Sequence, residues 1–107
     1  MTVPSGPAER GWLLKRGKVN KAFKKRYFEL DDDNILYYES IGGPQKGVIE
    51  LYGSSRTEII EVDGHHELLI HTRDRVFKLR SPDNLYSQLR VWDNAIRRAI
   101  TTAASRA

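Results

Sequence analysis

The chain has 107 residues, of which 39% are hydrophobic and 30% charged, with a formal net charge of +4 and no cysteine. That size and balance describe one globular domain able to bury a core. The missing cysteines exclude disulfides and thiolate chemistry and point to a reducing compartment. No apolar run approaches the ~20 residues a bilayer crossing needs, and the opening MTVPSGPAER lacks the apolar stretch of a secretory signal. Residues 1–10 are expected to form a flexible lead-in, and a membrane is expected to be met from the cytoplasmic side.

In chain order, seven short strands and one helix are expected. The first strand is Gly11 to Arg16 and the second Ala22 to Leu30, followed by the turn-forming run Asp31-Asp32-Asp33-Asn34. The third is Ile35 to Glu39. Gly42-Gly43-Pro44 breaks the chain before a fourth strand, Gly47 to Leu51. Arg56 to Val62 is the fifth, closed by the hairpin signal Asp63-Gly64; Glu67 to Thr72 and Arg75 to Arg80 complete the set. Ser81-Pro82-Asp83 reads as a helix start, with Ser81 as cap and Pro82 at the first helical position. Leu85, Leu89, Trp92, Ile96 and Ile100 then form one apolar stripe, with Arg90, Asp93, Asn94 and Arg97 opposite. Residues 101–107 are expected to fray. Strands first and an amphipathic helix last predict a mainly β domain: a seven-stranded antiparallel β-sandwich or partly open barrel capped by the helix.

Charge is distributed unevenly. Arg10, Lys15, Arg16, Lys18, Lys21, Lys24, Lys25 and Arg26 occur without an intervening acid, and Glu29, Asp31, Asp32 and Asp33 follow at once. Alternation along a strand gives Lys15 the parity of Leu13, and gives Lys24 and Arg26 the parity of Phe28 and Leu30. If Leu36 faces the core as they do, Tyr38 shares that side. Unpaired cations are too costly to bury, so these side chains must sit where the core face opens to water. In an antiparallel meander Lys15, Lys24, Arg26 and Tyr38 fall at one end, and the loop bearing Lys46 returns there. Five side chains thus converge on one mouth suited to an anion.

These residues resemble the pleckstrin-homology (PH) family from Gly11 to about Ile100. The matching pieces are Gly11-Trp12-Leu13-Leu14-Lys15, Lys24-Lys25-Arg26-Tyr27-Phe28, Leu36-Tyr37-Tyr38, Gly47-Val48-Ile49 and Trp92. Lys15, eight intervening residues and Lys24-Lys25-Arg26 resemble the pattern of members that bind 3-phosphorylated inositol lipids, extended by Tyr38 and by Lys46 before Gly47. The resemblance also implies a phosphate contact for Arg75. It departs in having Lys46 where close relatives often carry arginine, and in the short loop Thr72-Arg73-Asp74.

The resemblance implies a non-enzymatic, membrane-targeting signalling module without cofactor. Its expected ligands are membrane phosphoinositides, the 3,4,5-trisphosphate or 3,4-bisphosphate, and soluble inositol phosphates. The alternative is a protein-interaction module of the same fold. Arg16, Lys18, Val19 and Lys21 are expected to form a loop that touches the bilayer. A monomer is expected. Nucleic acid is not expected as a partner, since aromatic residues do not interleave the basic face. His65-His66 has no ligand-spaced companion for a metal, and Gly42 to Gly47 lacks the ending of a phosphate-binding P-loop.

Overall fold

A computed structural model describes residues 7–106. Seven antiparallel strands form one hydrogen-bonded sheet in the order β4-β3-β2-β1-β7-β6-β5, followed by a helix. The elements are β1 (Glu9–Arg16), β2 (Phe23–Asp31), β3 (Asn34–Tyr38), β4 (Gln45–Glu50), β5 (Arg56–Val62), β6 (His65–His71), β7 (Val76–Arg80) and α1 (Tyr86–Ser105). β5 spans the residues expected of it. β6 starts earlier than expected, because Asp63 and Gly64 both take positive φ and turn the hairpin in two residues.

The first four strands contribute Leu13, Phe28, Leu30, Ile35 and Ile49 to the core. Leu68, Ile70, Phe77 and Leu79 enter from β6 and β7, and Leu89, Trp92, Ala95 and Ile96 enter from α1. Trp92 meets Phe28 edge-on, with ring centroids 6.3 Å apart. Burying a large side chain of this kind contributes on the order of 1.5–3 kcal/mol, so α1 is held by its apolar stripe.

The helix departs from expectation at both ends. Ser81-Pro82-Asp83 forms a turn, not the first helical turn, because Asn84 adopts a left-handed φ of 55° and interrupts the path. Leu85 occupies the cap position without a side-chain cap and is exposed, so the buried stripe begins at Leu89. The Ser81 hydroxyl is buried and donates to Gln88 Oε1 at 2.6 Å, and Gln88 Nε2 donates to the Trp12 carbonyl at 2.9 Å. This tie replaces the expected cap. At the other end the helix continues through Ser105 instead of fraying from residue 101. Arg106 then reaches Asp32 at 2.6 Å and Asp33 at 3.6 Å. The expected lead-in is shorter than ten residues: Glu9 and Arg10 belong to β1, and residues 1–6 lie outside the described part.

Asp93 is a further correction. It is buried at 1% exposure, not on the solvent face. Thr57 Oγ1 donates to its Oδ1 at 2.5 Å and Arg97 Nε donates to it at 3.2 Å. No helix among the described residues is long and apolar enough to cross a membrane.

Candidate ligand-binding site

The β1–β2 hairpin builds the site. Lys15 and Lys24 are direct cross-strand partners beside its connecting loop, and partners in an antiparallel pair project to the same side of the sheet. Arg26 faces Leu13 two steps further in. These cations share the core side with Leu13 and Phe28, as parity requires. β7 runs alongside with Lys15 opposite Leu79, which brings Arg75, just before β7, to the end of β1.

A cavity of about 260 Å³ is lined by Lys15, Gly17, Asn20, Lys24, Arg26, Tyr37 and Lys46. Four of the expected cations, Lys15, Lys24, Arg26 and Lys46, are therefore gathered around one space. Arg75 lines adjoining cavities, stacks its guanidinium over Phe77 at 4.2 Å and acts on Lys15 through its charge.

Tyr38 is not brought to this cavity; Tyr37 is. Ile35 is fully buried and Tyr37 pairs with Phe28, so these two residues face inward. Tyr38 pairs with Tyr27 on the outer side, and Tyr27 in turn packs edge-on against Trp12 at 5.5 Å. The Tyr38 phenol is held above its ordinary pKa by burial and by the charges of Glu29 and Asp31. That acidic setting is the reverse of an anion site. Taking Leu36 as a core residue set β3 one position out, which exchanged the two tyrosines.

Gly47 has a steric reason to be glycine. A Cβ there would collide with the Tyr37 hydroxyl and ring, so Tyr37 crosses β4 only over a residue without a side chain. Beside it, Gly47 pairs with Tyr37 and Gln45 with Tyr38, which leaves Lys46 as the extra residue of a bulge. Such a bulge re-aims the side chain it carries; Lys46 lines the cavity.

The electrostatics differ among the cations. Lys15 Nζ lies 4.8 Å from the Tyr37 ring centroid and 5.7 Å from that of Phe77. Its pKa is depressed, first by burial and then by the Arg75 and Arg26 charges. No carboxylate pairs with it among the described residues. Arg26 and Lys46 share Glu39, at 3.9 and 3.0 Å. Lys46, then Arg26, holds the Glu39 carboxyl below its ordinary range. Glu39, Asn20 and Tyr37 were not anticipated as part of the site. Asn20 sits in a loop without periodicity, where no sequence signal could single it out; its Oδ1 accepts the Ala22 amide at 3.1 Å and shapes the loop.

The expected bilayer loop is exposed at Lys18, Val19 and Lys21, with Val19 at 92%. Arg16 stands at its base, half-buried. Among the described residues, no group of three His, Cys, Asp or Glu gathers to hold a metal ion.

The architecture has many solved counterparts. The C-terminal PH domain of pleckstrin in complex with D-myo-Ins(1,2,3,5,6)P5 is similar at 28% identity and a TM-score of 0.77, over 87% of this chain and 94% of that one. A structure of the same domain from human pleckstrin is similar at 26% identity and a TM-score of 0.74, over 89% and 88%. The PH domain of human oxysterol-binding protein-related protein 11 shares the fold at 18% identity and a TM-score of 0.75, over 95% and 87%. A probable serine/threonine-protein kinase of Dictyostelium discoideum is 31% identical over 77 residues, 71% of this chain. The chain spans only 4% of that relative's length. The fold that the solved domains share with this chain is that of a non-catalytic module. With the PH-domain family model matching residues 9–101, the chain belongs to the PH domain family.

Proposed function

We propose that this PH domain holds the phosphorylated head group of an inositol lipid in the cavity between Lys15, Lys24, Arg26, Tyr37 and Lys46, and so brings its parent protein to membranes. The observation that carries the reading is Lys15: a half-buried ammonium with no acid partner among the described residues and two guanidinium groups nearby. A charge held in that setting is stabilised by an incoming anion. Lys15 supplies a compact charge able to lie between adjacent phosphates, and Arg26 supplies a planar two-pronged donor. Lys24, Lys46 and the Tyr37 hydroxyl add donors at the rim, with Arg75 alongside. The inositol pentakisphosphate in the similar pleckstrin domain is in keeping with this class of ligand.

The preferred lipids in this reading are the 3,4,5-trisphosphate and the 3,4-bisphosphate, because the run from Lys15 to Arg26 resembles that of members that bind 3-phosphorylated inositol lipids. Arg16, Lys18 and Lys21 meet the anionic leaflet around the bound lipid, each contributing about 1 kcal/mol near the surface, and Val19 is the residue placed to enter it. Recruitment is peripheral, from the aqueous side.

Calorimetric titration with the soluble inositol 1,3,4,5-tetrakisphosphate and its positional isomers tests both parts. Arg26→Ala, with an unchanged thermal melt, is expected to weaken binding roughly 30-fold, the equivalent of about 2 kcal/mol for a lost charged donor. Unaltered affinity in the folded variant would overturn the assignment.

A further inference from the structure

Lys15 is set apart from the other lysines of the basic pole by what surrounds its ammonium. Its inward parity on β1 places it between two rings, 4.8 Å from the Tyr37 centroid and 5.7 Å from that of Phe77. The side chain is half-buried, no carboxylate pairs with it among the described residues, and the Arg75 and Arg26 charges act on it. By contrast Lys46 pairs with Glu39 at 3.0 Å, Lys24 is exposed at the rim, and Lys18, Lys21 and Lys25 are exposed and do not line this cavity.

An amine becomes a nucleophile only when it gives up its proton. Burial and neighbouring cations both favour the neutral form, and together they hold the Lys15 pKa below its ordinary 10.5. The two rings confine the amine to the mouth, so little freedom is left to lose when a reactant arrives. Lys24, Arg26 and Lys46 line the same space of about 260 Å³ and make a seat for a phosphate. A reactant with an electrophilic carbon bonded to its phosphate oxygen is then held with that carbon beside the amine. Acyl phosphates have this build. Their phosphate is both the group recognised and the leaving group, and the cations that hold it stabilise the charge it takes on as it leaves. An acyl phosphate carries fewer charges than an inositol polyphosphate, so it favours reprotonation of Lys15 less.

We infer that Lys15 is an acylation site, at which an acyl phosphate seats its phosphate on Lys24, Arg26 and Lys46 and passes its acyl group to the Lys15 amine. The amine, its first proton lost to water, forms a C–N bond to the acyl carbon. The C–O bond to phosphate breaks, inorganic phosphate leaves with that electron pair, and a second amine proton goes to water. The product is a neutral amide where the ammonium stood; it removes the central charge of the mouth and fills part of it. That the acylated domain releases head groups rests on the proposed function, whereas the acyl transfer needs only the cavity.

The test incubates the folded chain with acetyl phosphate and follows each lysine by peptide mass spectrometry. Lys15 is expected to be acetylated about tenfold faster than Lys18 and Lys25, through positioning of the donor. Inositol hexakisphosphate is expected to protect Lys15 and to leave the Lys18 and Lys25 rates unchanged, and Arg26→Ala is expected to slow Lys15. The N-hydroxysuccinimide ester of acetic acid has no phosphate to seat, so with the wild type Lys15 is expected to lose most of its lead; this comparison serves if Arg26→Ala unfolds. The acetylated domain is expected to bind inositol hexakisphosphate about tenfold more weakly. A Lys15 rate no higher than that of Lys18, or an equal lead with both reagents, overturns the inference, and does so without touching the proposed function if the unmodified chain still binds inositol phosphates. Rapid acetylation of Lys15 in a chain that binds no inositol phosphate sinks the proposed function and leaves the acylation site standing.

Discussion

Tyr37 and Tyr38 are adjacent in sequence and serve opposite sides of the sheet. One residue decides this, because the side-chain period of a strand is two and a one-position slip moves a side chain to the other face. Tyr37 lies over Gly47 with Lys15 against its ring; Tyr38 packs toward Tyr27, with Glu29 and Asp31 acting on its phenol. Tyr37→Phe is therefore expected to weaken inositol phosphate binding several-fold, the net worth of about one hydrogen bond. Tyr38→Phe is expected to leave it unchanged. Titration of both variants checks the pair, and a loss confined to Tyr38→Phe would refute the placement. The parity of Lys15, Lys24 and Arg26 was readable because Leu13, Phe28 and Leu30 anchor their strands on both sides of the argument. β3 offered Ile35 and Leu36 side by side, and two neighbouring apolar residues do not say which one is inside.

The elements show the same limit at their ends. β5 and the Asp63-Gly64 hairpin were legible, since a two-residue turn with positive φ has few sequence solutions. The helix start was not, because Ser81-Pro82-Asp83 carries cap chemistry that a turn can also use. Ser81 spends its hydroxyl on Gln88, a side chain seven residues on. Asp93 reads as a surface charge beside the apolar stripe, yet on the helix it lies four residues after Leu89 and three before Ile96, which puts it on the buried side. Thr57 on β5 and the Arg97 guanidinium satisfy it in place, and such a buried acid is tolerable only with partners. Asp93→Ala is expected to destabilise the fold by about 1–3 kcal/mol, since it leaves the Thr57 hydroxyl buried without an acceptor. Denaturant unfolding of Asp93→Ala beside the double variant D93A/T57V measures it. A double variant as unstable as the single one would show that the hydrogen bond is not what is lost.

Across the whole molecule, the basic and acidic clusters noted in the sequence become two poles. From Lys24 to Asp31 a single strand runs, a distance of about 23 Å at ~3.3 Å per residue. That exceeds the roughly 8–10 Å over which salt screens charge, so the acids do not cancel the mouth. They are met locally: Arg106 binds Asp32 and lowers its carboxyl below the ordinary range by that hydrogen bond. At the basic pole, burial and then Arg75 and Arg26, contributed by separate elements, pull Lys15 below its ordinary value of 10.5. The sign for binding follows. An anion favours the charged ammonium, so affinity is full below the Lys15 pKa and falls as pH rises through it, already under pH 10.5. Calorimetry across the alkaline range is expected to show that decline. Lys15→Arg, which stays protonated there, is expected to flatten it; a wild-type profile flat up to pH 10.5 would contradict the role given to Lys15.

Composition, alternation and turn chemistry were enough to settle a seven-stranded sheet with a closing helix and to put three cations on its inner side, because these are local properties repeated along the chain. What surrounds the mouth beyond them depended on packing between distant segments: Tyr37 over Gly47, Glu39 between Arg26 and Lys46, and Arg75 beside Lys15. Such contacts arise only when β4 and β7 fold back against the hairpin, and a periodicity of two or 3.6 carries no record of which strand will become whose neighbour.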